Sequence, residues 1–435
     1  MDGYYAFMLI ATAFVLMMTV PALALFYGGM SRSKSVLNMM MMSYIAVAIV
    51  GILYVAVGWS MGFGGEGTFF ASPTELLWLD GVTTDSYIYV MFQMTFAIIT
   101  VALISGAVAD RLKFSAWVVF VPLWALVVYF PMAHMVFSCT DDSLICGRIG
   151  AQDYAGGTAV HINAGIAALV LVLLLGKRIG FGKEAIRPHN LTLTMLGAGL
   201  LWMGWYGFNV GSIVFAGEEG EAFSARFMSE TGRTFANTTL ATMAAIIGWL
   251  LIEFLLHKKA TSLGAASGIV AGLVAITPAA GAVDIEGAFA IGVIAGAVCA
   301  WAVGLKYKLG YDDSLDVVGV HLVGGIIGTI LIGVFSTSDG AGGIDGLLYG
   351  GGADSLWAQT RGVLVAIVFS GVLTAVIGLA IKYTIGLRLK EEDEVEGIDF
   401  VAHGESAYDI HTSGGGGSTG VLAAKTAPVT EGASA

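Results

Sequence analysis

Apolar stretches of about 20 residues alternate with short polar segments along most of this chain. An α-helix needs about 20 apolar residues to cross the hydrocarbon core of a bilayer. The pattern therefore predicts an all-α protein with eleven membrane-spanning helices and termini on opposite sides. The predicted spans cover residues 5–27, 38–63, 86–108, 113–137, 157–176, 190–213, 235–257, 262–280, 285–306, 315–336 and 358–386.

The composition and the basic residues extend this prediction. The chain has 435 residues, of which 57% are hydrophobic and 12% charged, whereas soluble domains carry about 25% charged residues. Of the 20 basic residues, sixteen fall in one alternating set of loops and the C-terminal end. Cytoplasmic loops of membrane proteins hold the excess of Lys and Arg. We therefore expect the N-terminus outside and the C-terminus inside.

The acidic residues concentrate in the predicted outer loops, as illustrated by Glu66, Asp141 and Asp339. The formal net charge is −12, so the predicted outer face would attract small cations. This charge argues against nucleic acid as a partner, and the apolar spans imply contact with membrane lipids.

Two histidines, His161 and His321, lie within apolar spans in similar local sequences. Each follows a valine, precedes a glycine by four residues and has an aspartate upstream, Asp153 or Asp316. An ionisable side chain at membrane depth is costly and indicates a transport pathway or proton relay. The histidines occupy the fifth and tenth spans, which predicts two inverted five-helix repeats with the site at their interface, followed by an eleventh helix.

Two facing imidazoles could pass a proton, because a neutral ring is both donor and acceptor. A zinc site needs three or four ligands, and neither histidine has an H-E-x-x-H neighbour or a nearby cysteine. We therefore predict no metal and no cofactor. An intramembrane metalloenzyme that uses the histidines as ligands remains an alternative.

The cysteines and the C-terminal region add three predictions. Cys139 and Cys146 share an outer loop, where they either form a disulfide or occur together by chance, and Cys299 is expected in the core. We divide the chain into a membrane domain at 1–386, a polar cytoplasmic segment at 387–411 and a glycine-rich tail at 412–435. The composition of the tail predicts disorder.

Several phrases, from the first span to about residue 411, resemble ammonium transporters of the Amt/MEP/Rh superfamily, on the bacterial Amt branch. The resemblance implies a homotrimer in the plasma membrane that takes up ammonium or methylammonium and is not an enzyme. It also implies that a PII-type nitrogen regulatory protein binds the cytoplasmic face, where residues 387–411 form a regulatory segment that couples the subunits. The phrases are Ala24-Leu-Phe-Tyr-Gly-Gly, Phe92-Gln-Met-Thr-Phe96, Asp153-Tyr-Ala-Gly-Gly-Thr-Ala-Val-His161, Gly204-Trp-Tyr-Gly-Phe-Asn-Val-Gly-Ser, Asp316-Val-Val-Gly-Val-His321 and His403-Gly-Glu-Ser-Ala-Tyr.

The resemblance also implies roles for residues at the outer mouth. Phe96 and Phe235 match the two stacked rings that gate the family's pore, and Thr239 matches a hydroxyl that accepts an ammonium proton. Phe137 stands where the family commonly has tryptophan, and a phenyl ring attracts cations less strongly than indole. Asp153 matches an acidic residue near the outer site, but we expect it mainly to cap its helix, and we expect Asp316 to play a similar part at the inner end.

Inside the pore, the resemblance implies that His161 and His321 conduct ammonia and relay the proton. Trp205, Phe26 and Tyr27 match pore-lining positions, and helix packing is the alternative for each aromatic ring. The predicted function is selective uptake, in which ammonium loses its proton at the phenylalanine gate before it passes the histidines. A transport-inactive ammonium sensor with the same architecture is the alternative.

Overall fold

The computed structural model describes residues 2–184, 186–213 and 220–408, and within these ranges it is helical with no β-strand. Nine of the described helices are long and apolar enough to cross a membrane, and two further helices fall at the predicted sixth and eighth spans. The all-α prediction is confirmed, whereas the count of eleven spans and the orientation of the termini stay predictions. The helices are α1 (Gly3–Met30), α2 (Val36–Phe63), α3 (Thr84–Val108), α4 (Phe114–Ser138), α5 (Gly157–Leu175), α6 (Leu191–Val210), α7 (Ala222–His257), α8 (Ser262–Ile276), α9 (Ile285–Leu309), α10 (Val318–Phe335) and α11 (Asp354–Thr384).

Helix α7 differs most from its predicted bounds, because it begins well before residue 235. Its first turns carry Arg226, Glu230 and Arg233, which interrupt the apolar pattern. Arg226 and Glu230 lie four residues apart and form a salt bridge of 3.2 Å, a spacing that supports a helix outside the apolar region. Hydropathy therefore located the apolar part of α7 and missed its polar extension.

Small residues bring α7, α8 and α9 together. A Cβ built on Gly272 would lie 2.6 Å from Cβ of Ala245, and one built on Gly296 would lie 2.2 Å from the carbonyl oxygen of Ala245. Such distances leave no room for a side chain, so glycine permits the close approach that stabilises helix pairs in lipid.

Glycines also allow the close approach of α5 and α10. The glycine four residues after each histidine packs on the other helix: a Cβ on Gly165 would lie 2.5 Å from the Leu322 nitrogen, and one on Gly325 would lie 3.2 Å from Cβ of His161. The two glycines that the sequence pattern singled out therefore set the distance between the histidine-bearing helices.

A buried ion-pair network joins three loops at the end of the bundle where α5 ends and α10 begins, which is the predicted inner end. Arg178 contacts Asp312 at 2.8 Å and Asp110 at 3.1 Å. Burial alone would raise the pKa of Asp312, but hydrogen bonds from the Arg178 guanidinium outweigh it and hold that pKa below its ordinary value. Breaking such a buried pair is costly, so the network fixes these loops relative to one another.

The segment after α11 packs on the same inner end through α12 (Glu391–Glu396) and α13 (Ile398–His403). Glu394 accepts a hydrogen bond of 2.7 Å from the Ile179 nitrogen and pairs with Arg388 at 2.7 Å. Asp399 accepts bonds from the backbone nitrogens of residues 37 and 38 at the start of α2, where a helix favours negative charge. The predicted tail at 412–435 and the last residues of the 387–411 segment lie outside the described residues.

The cysteine alternatives are resolved by the structure. Cys139 and Cys146 form a disulfide in the loop after α4, which lies at the predicted outer end of the bundle. Cys299 is a free, buried thiol in α9, as expected for a core residue.

Candidate pore and outer mouth

His161 and His321 meet in the centre of the bundle. Their Nδ1 atoms are 3.2 Å apart, and the two rings lie 5.3 Å apart at an interplanar angle of 21°. Each histidine sits in a π-helical turn, Gly157–Ile162 or Val318–Leu322; such wide turns are frequent at functional sites. Because a hydrogen bond between two Nδ1 atoms needs one donor and one acceptor, the pair shares a single proton along this contact.

An aspartate precedes each histidine by eight residues and holds the start of its helix. Asp153 accepts hydrogen bonds from the backbone nitrogens of residues 156, 157, 158 and 159. Asp313 accepts bonds from those of residues 317 and 318. Both carboxyl groups are therefore bound to helix N-termini, which is a capping role.

The capping role found for Asp313 corrects the expectation for Asp316. Asp316 has a left-handed backbone (φ 64°) and forms a 2.6 Å salt bridge with Lys306, so it does not correspond to Asp153. Burial raises the pKa of Asp153 against the opposing effect of its four N–H donors, and it raises the pKa of Asp313 to about 6.

A narrow cavity of about 10 Å³ adjoins the histidine pair, and its wall is almost entirely apolar. Trp205 and Phe26 line it, as predicted. The Trp205 indole lies 5.5 Å from the His161 ring, nearly parallel to it, and donates a 2.8 Å hydrogen bond to Oγ1 of Thr277. Tyr27 is buried with its hydroxyl on the Leu103 carbonyl oxygen and is not among the cavity-lining residues. Its pore-lining role stays a prediction.

The ring that stacks on Phe96 is Phe208. Their centroids are 3.9 Å apart and the planes differ by 9°. Phe208 is fully buried, lines the cavity and lies 6.3 Å from the His161 ring. Phe137 meets Phe96 edge-on at 6.3 Å. The three phenyl rings therefore lie in sequence towards the predicted outer end, where α4 ends.

The predicted pairing of Phe96 with Phe235 is wrong. Phe235 is 50% exposed and stacks on Tyr206 at 4.2 Å. Thr239 follows it on the same face of α7, where its hydroxyl donates to the Phe235 carbonyl oxygen and lies 2.9 Å from the Tyr206 hydroxyl. Thr239 is therefore not among the residues around the cavity.

Ser212 follows Phe208 by four residues, just as Thr239 follows Phe235 by four residues. The Ser212 side chain is buried and donates a 2.8 Å hydrogen bond to the Phe208 carbonyl oxygen. A signal for Phe208 was present in the sequence: it follows Trp205 by three residues, and residues three apart share one face of a helix.

Within residues 2–184, 186–213 and 220–408, no group of three or more His, Cys, Asp or Glu side chains is arranged to hold a metal ion. The site is thus a histidine pair in an apolar cavity, closed towards one end by stacked rings. A bundle of apolar helices around such a cavity defines a multi-pass membrane protein of the transport class.

The comparison with known proteins identifies the family. The model of the Ammonium Transporter Family matches residues 6–408, and the chain belongs to this family. It is similar to the ammonium transporter of Mycobacterium tuberculosis, at 50% identity over 95% of this chain and 91% of that protein. It is also 46% identical to the ammonium transporter of Aquifex aeolicus, over 94% of each chain. These relatives are named as transporters and not as enzymes.

Solved structures agree with this assignment. Saccharomyces cerevisiae Mep2 superimposes with a TM-score of 0.78 at 31% identity, over 89% of this chain and 90% of that one. A structure described as a sensor Amt protein has a TM-score of 0.82 at 26% identity, over 92% of this chain and 98% of that one. The fold is therefore that of the Amt and Mep proteins.

Proposed function

We propose that this protein conducts ammonium selectively across the plasma membrane. Ammonium gathers at the acidic outer face, loses its proton at the stacked pair Phe96 and Phe208, and crosses the apolar cavity as ammonia. The proton follows by way of His161 and His321. In this proposal the N-terminus lies outside and the C-terminus inside, as the distribution of basic residues predicts.

The observation that carries the proposal is the hydrogen bond between the two Nδ1 atoms, 3.2 Å long, beside an apolar cavity. Burying an unpaired cation in such surroundings costs several kcal/mol, so ammonium crosses more easily after it has given up its proton. Potassium has no proton to release and would have to pass as a bare ion. Selectivity then follows from the chemistry of the cavity and does not require a size filter.

The phenyl rings support the proton-release step. A ring face attracts a cation within about 6 Å of its centroid, and Phe137 and Phe96 offer such faces on the outer side. The stacked Phe96 and Phe208 are 3.9 Å apart, so a hydrated ion cannot pass between them. A cation is thus held at the rings while its water is removed. Asp153 accepts four backbone hydrogen bonds at the start of α5 and so stabilises this helix.

Assembly and regulation form a second part of the proposal. We expect a homotrimer from the resemblance to the family. The large exposed apolar side chains of α7 and α9, such as Phe235, Met243, Phe289 and Trp301, would then face a neighbouring subunit or lipid. A PII-type regulatory protein would bind the inner face. Glu394 and Asp399 tie the C-terminal segment to the inner loops and to α2, so displacement of this segment would reach the pore helices.

The alternative is a transport-inactive ammonium sensor with the same architecture. Both functions need an outer ammonium site, but a sensor does not need a continuous conduction path past the histidines. Currents in reconstituted vesicles distinguish them, because a sensor binds ammonium and passes none.

The test of the proposal replaces His161 or His321 by alanine in the purified trimer. We expect much smaller ammonium currents in proteoliposomes, because each variant removes one partner of the proton-sharing contact. Replacement by aspartate or glutamate should retain part of the current, since a carboxylate can also relay a proton. Wild-type, potassium-excluding currents in both alanine variants would contradict the proposed pathway.

A further inference from the structure

Phe137 is the outermost of the three phenyl rings, and its position depends on the last turn of α4. That turn, His134–Ser138, is π-helical and ends the helix. The Phe137 ring is partly exposed and meets Phe96 edge-on at 6.3 Å. A helix end is normally free to fray, so the edge contact requires something that holds this turn in place.

The first attachment lies three residues before Phe137. The His134 ring is completely buried, with Nδ1 2.9 Å from the Gly62 carbonyl oxygen and Nε2 2.7 Å from the Gly67 carbonyl oxygen. Gly62 lies in the last turn of α2, and Gly67 lies in the segment that follows this helix. His134 therefore ties the end of α4 to the residues between Gly62 and Gly67.

The second attachment lies two residues after Phe137. Cys139 has a left-handed backbone (φ 47°), a conformation that costs a non-glycine residue about 1 kcal/mol or more. Its disulfide to Cys146 closes the loop across a separation of seven residues. While the disulfide is intact, it restrains the turn at Cys139 and therefore the last turn of α4.

The disulfide loop is itself anchored at two points. The Leu144 nitrogen donates a 3.1 Å hydrogen bond to the Thr68 carbonyl oxygen, next to the segment that His134 holds. Ile145 is 1% exposed, and its side chain belongs to the main hydrophobic core. The disulfide loop is therefore fixed both to the segment after α2 and to the hydrophobic core.

We propose that the Cys139–Cys146 disulfide and His134 are positioning groups that hold Phe137 edge-on to Phe96 and thereby set the affinity of the outer mouth for ammonium. This inference rests on the proposed function, in which ammonium is held at these rings. Loss of one aromatic contact of this kind changes an affinity about two- to tenfold. The stacked pair and the histidines lie on other helices than the disulfide loop, so the effect should fall on affinity more than on maximal current.

The experiment compares the Cys139→Ser/Cys146→Ser double variant with the wild-type trimer. We expect ammonium binding, measured by calorimetry in lipid nanodiscs, to weaken about two- to tenfold. In proteoliposomes the half-saturating ammonium concentration should rise by the same factor, with potassium still excluded. A membrane-impermeant reductant added to the wild type should reproduce the shift and should leave the serine variant unchanged.

A double-mutant cycle separates positioning from a general structural effect. In a Phe137→Ala background, removal of the disulfide should produce no further loss of affinity, because the positioned ring is already absent. His134→Gln should weaken binding in the wild-type background and, again, not in the Phe137→Ala background. Size-exclusion profiles and melting temperatures check that each variant is folded.

Wild-type affinity in the folded serine variant would overturn the inference, and so would a loss that adds fully to that of Phe137→Ala. If the serine variant does not fold, the reductant series on the folded wild type decides the matter by the same criteria. The binding measurement requires no conduction. A wild-type protein that binds ammonium and passes no current therefore refutes the proposed transport while leaving the positioning role open to the same test.

Discussion

Replacement of Phe208 by leucine tests most directly which ring pair forms the gate. Phe208 is buried between Phe96, stacked at 3.9 Å, and Trp205 at 5.6 Å. Leucine keeps an apolar side chain of similar volume but removes the aromatic face. A swap of this kind usually costs less than about 1.5 kcal/mol of stability, so the variant should fold as a trimer and remain measurable.

The magnitude follows from two contributions. The ring-to-ring contact of a stacked pair is worth about 1 kcal/mol beyond its buried area. The attraction of a ring face for a partly dehydrated cation adds about 1 kcal/mol. Only the second contribution acts on the conducted ion, and its value of about 1 kcal/mol corresponds to about a fivefold decrease in the efficiency of ammonium conduction; the first contribution lowers the stability of the folded protein. Because the planar barrier is lost as well, potassium leakage should increase.

The assay is ammonium-driven and potassium-driven current across proteoliposomes with matched protein content. The matched control is Phe235→Leu, the same change at the half-exposed ring on α7, which should leave both currents close to wild type. A strong effect of Phe235→Leu together with wild-type behaviour of Phe208→Leu would refute the reasoning and restore the pairing expected from sequence resemblance.

Two further predictions concern the inner end. Burial raises the pKa of Asp313 to about 6, so the folded state holds this proton more tightly than the unfolded state, and the stability contributed by this group falls as pH rises from about 4 to about 6. The melting temperature should therefore decline less over this range in Asp313→Asn than in the wild type, and identical pH profiles would contradict the assignment. Deletion of residues 412–435 should leave trimer assembly and transport nearly intact. Deletion from Lys390 removes the Glu394 and Asp399 contacts as well, so it should impair transport or its coupling between subunits. Equal activity of the two truncations would remove the basis for a regulatory segment.

The helices and the histidine pair could be predicted because the relevant physics is local. A chain in lipid must satisfy its backbone hydrogen bonds within each span, so about 20 apolar residues already indicate a helix. An ionisable residue inside such a span is rare enough to mark a site. The glycine that follows each histidine by four residues was also visible, but only the packing of Gly165 and Gly325 shows that it brings the two helices together.

The capping aspartate of α10 shows how far local spacing reaches. Asp153 precedes His161 by eight residues and Asp313 precedes His321 by eight, so the equal spacing was available as a signal. The similarity of the Asp316 phrase to the family pattern instead favoured Asp316, which is closer to His321 in the sequence, as the capping residue. Only the backbone of Asp316, turned to φ 64° and paired with Lys306, shows that this carboxylate points into a different contact.

By itself, the sequence determined the class of fold, the membrane helices and the two histidines within them, and the phrases around these histidines indicated the family. Tertiary structure decided which aromatic rings meet. An α-helix that is apolar on all sides carries no periodic mark of its inward face. The resemblance therefore suggested Phe235 on α7 as the partner of Phe96, and only the packed helices show that the partner is Phe208 on α6. The disulfide was undecided for the same reason, since two cysteines pair only where the fold brings them together, here with a Cα separation of 5.0 Å.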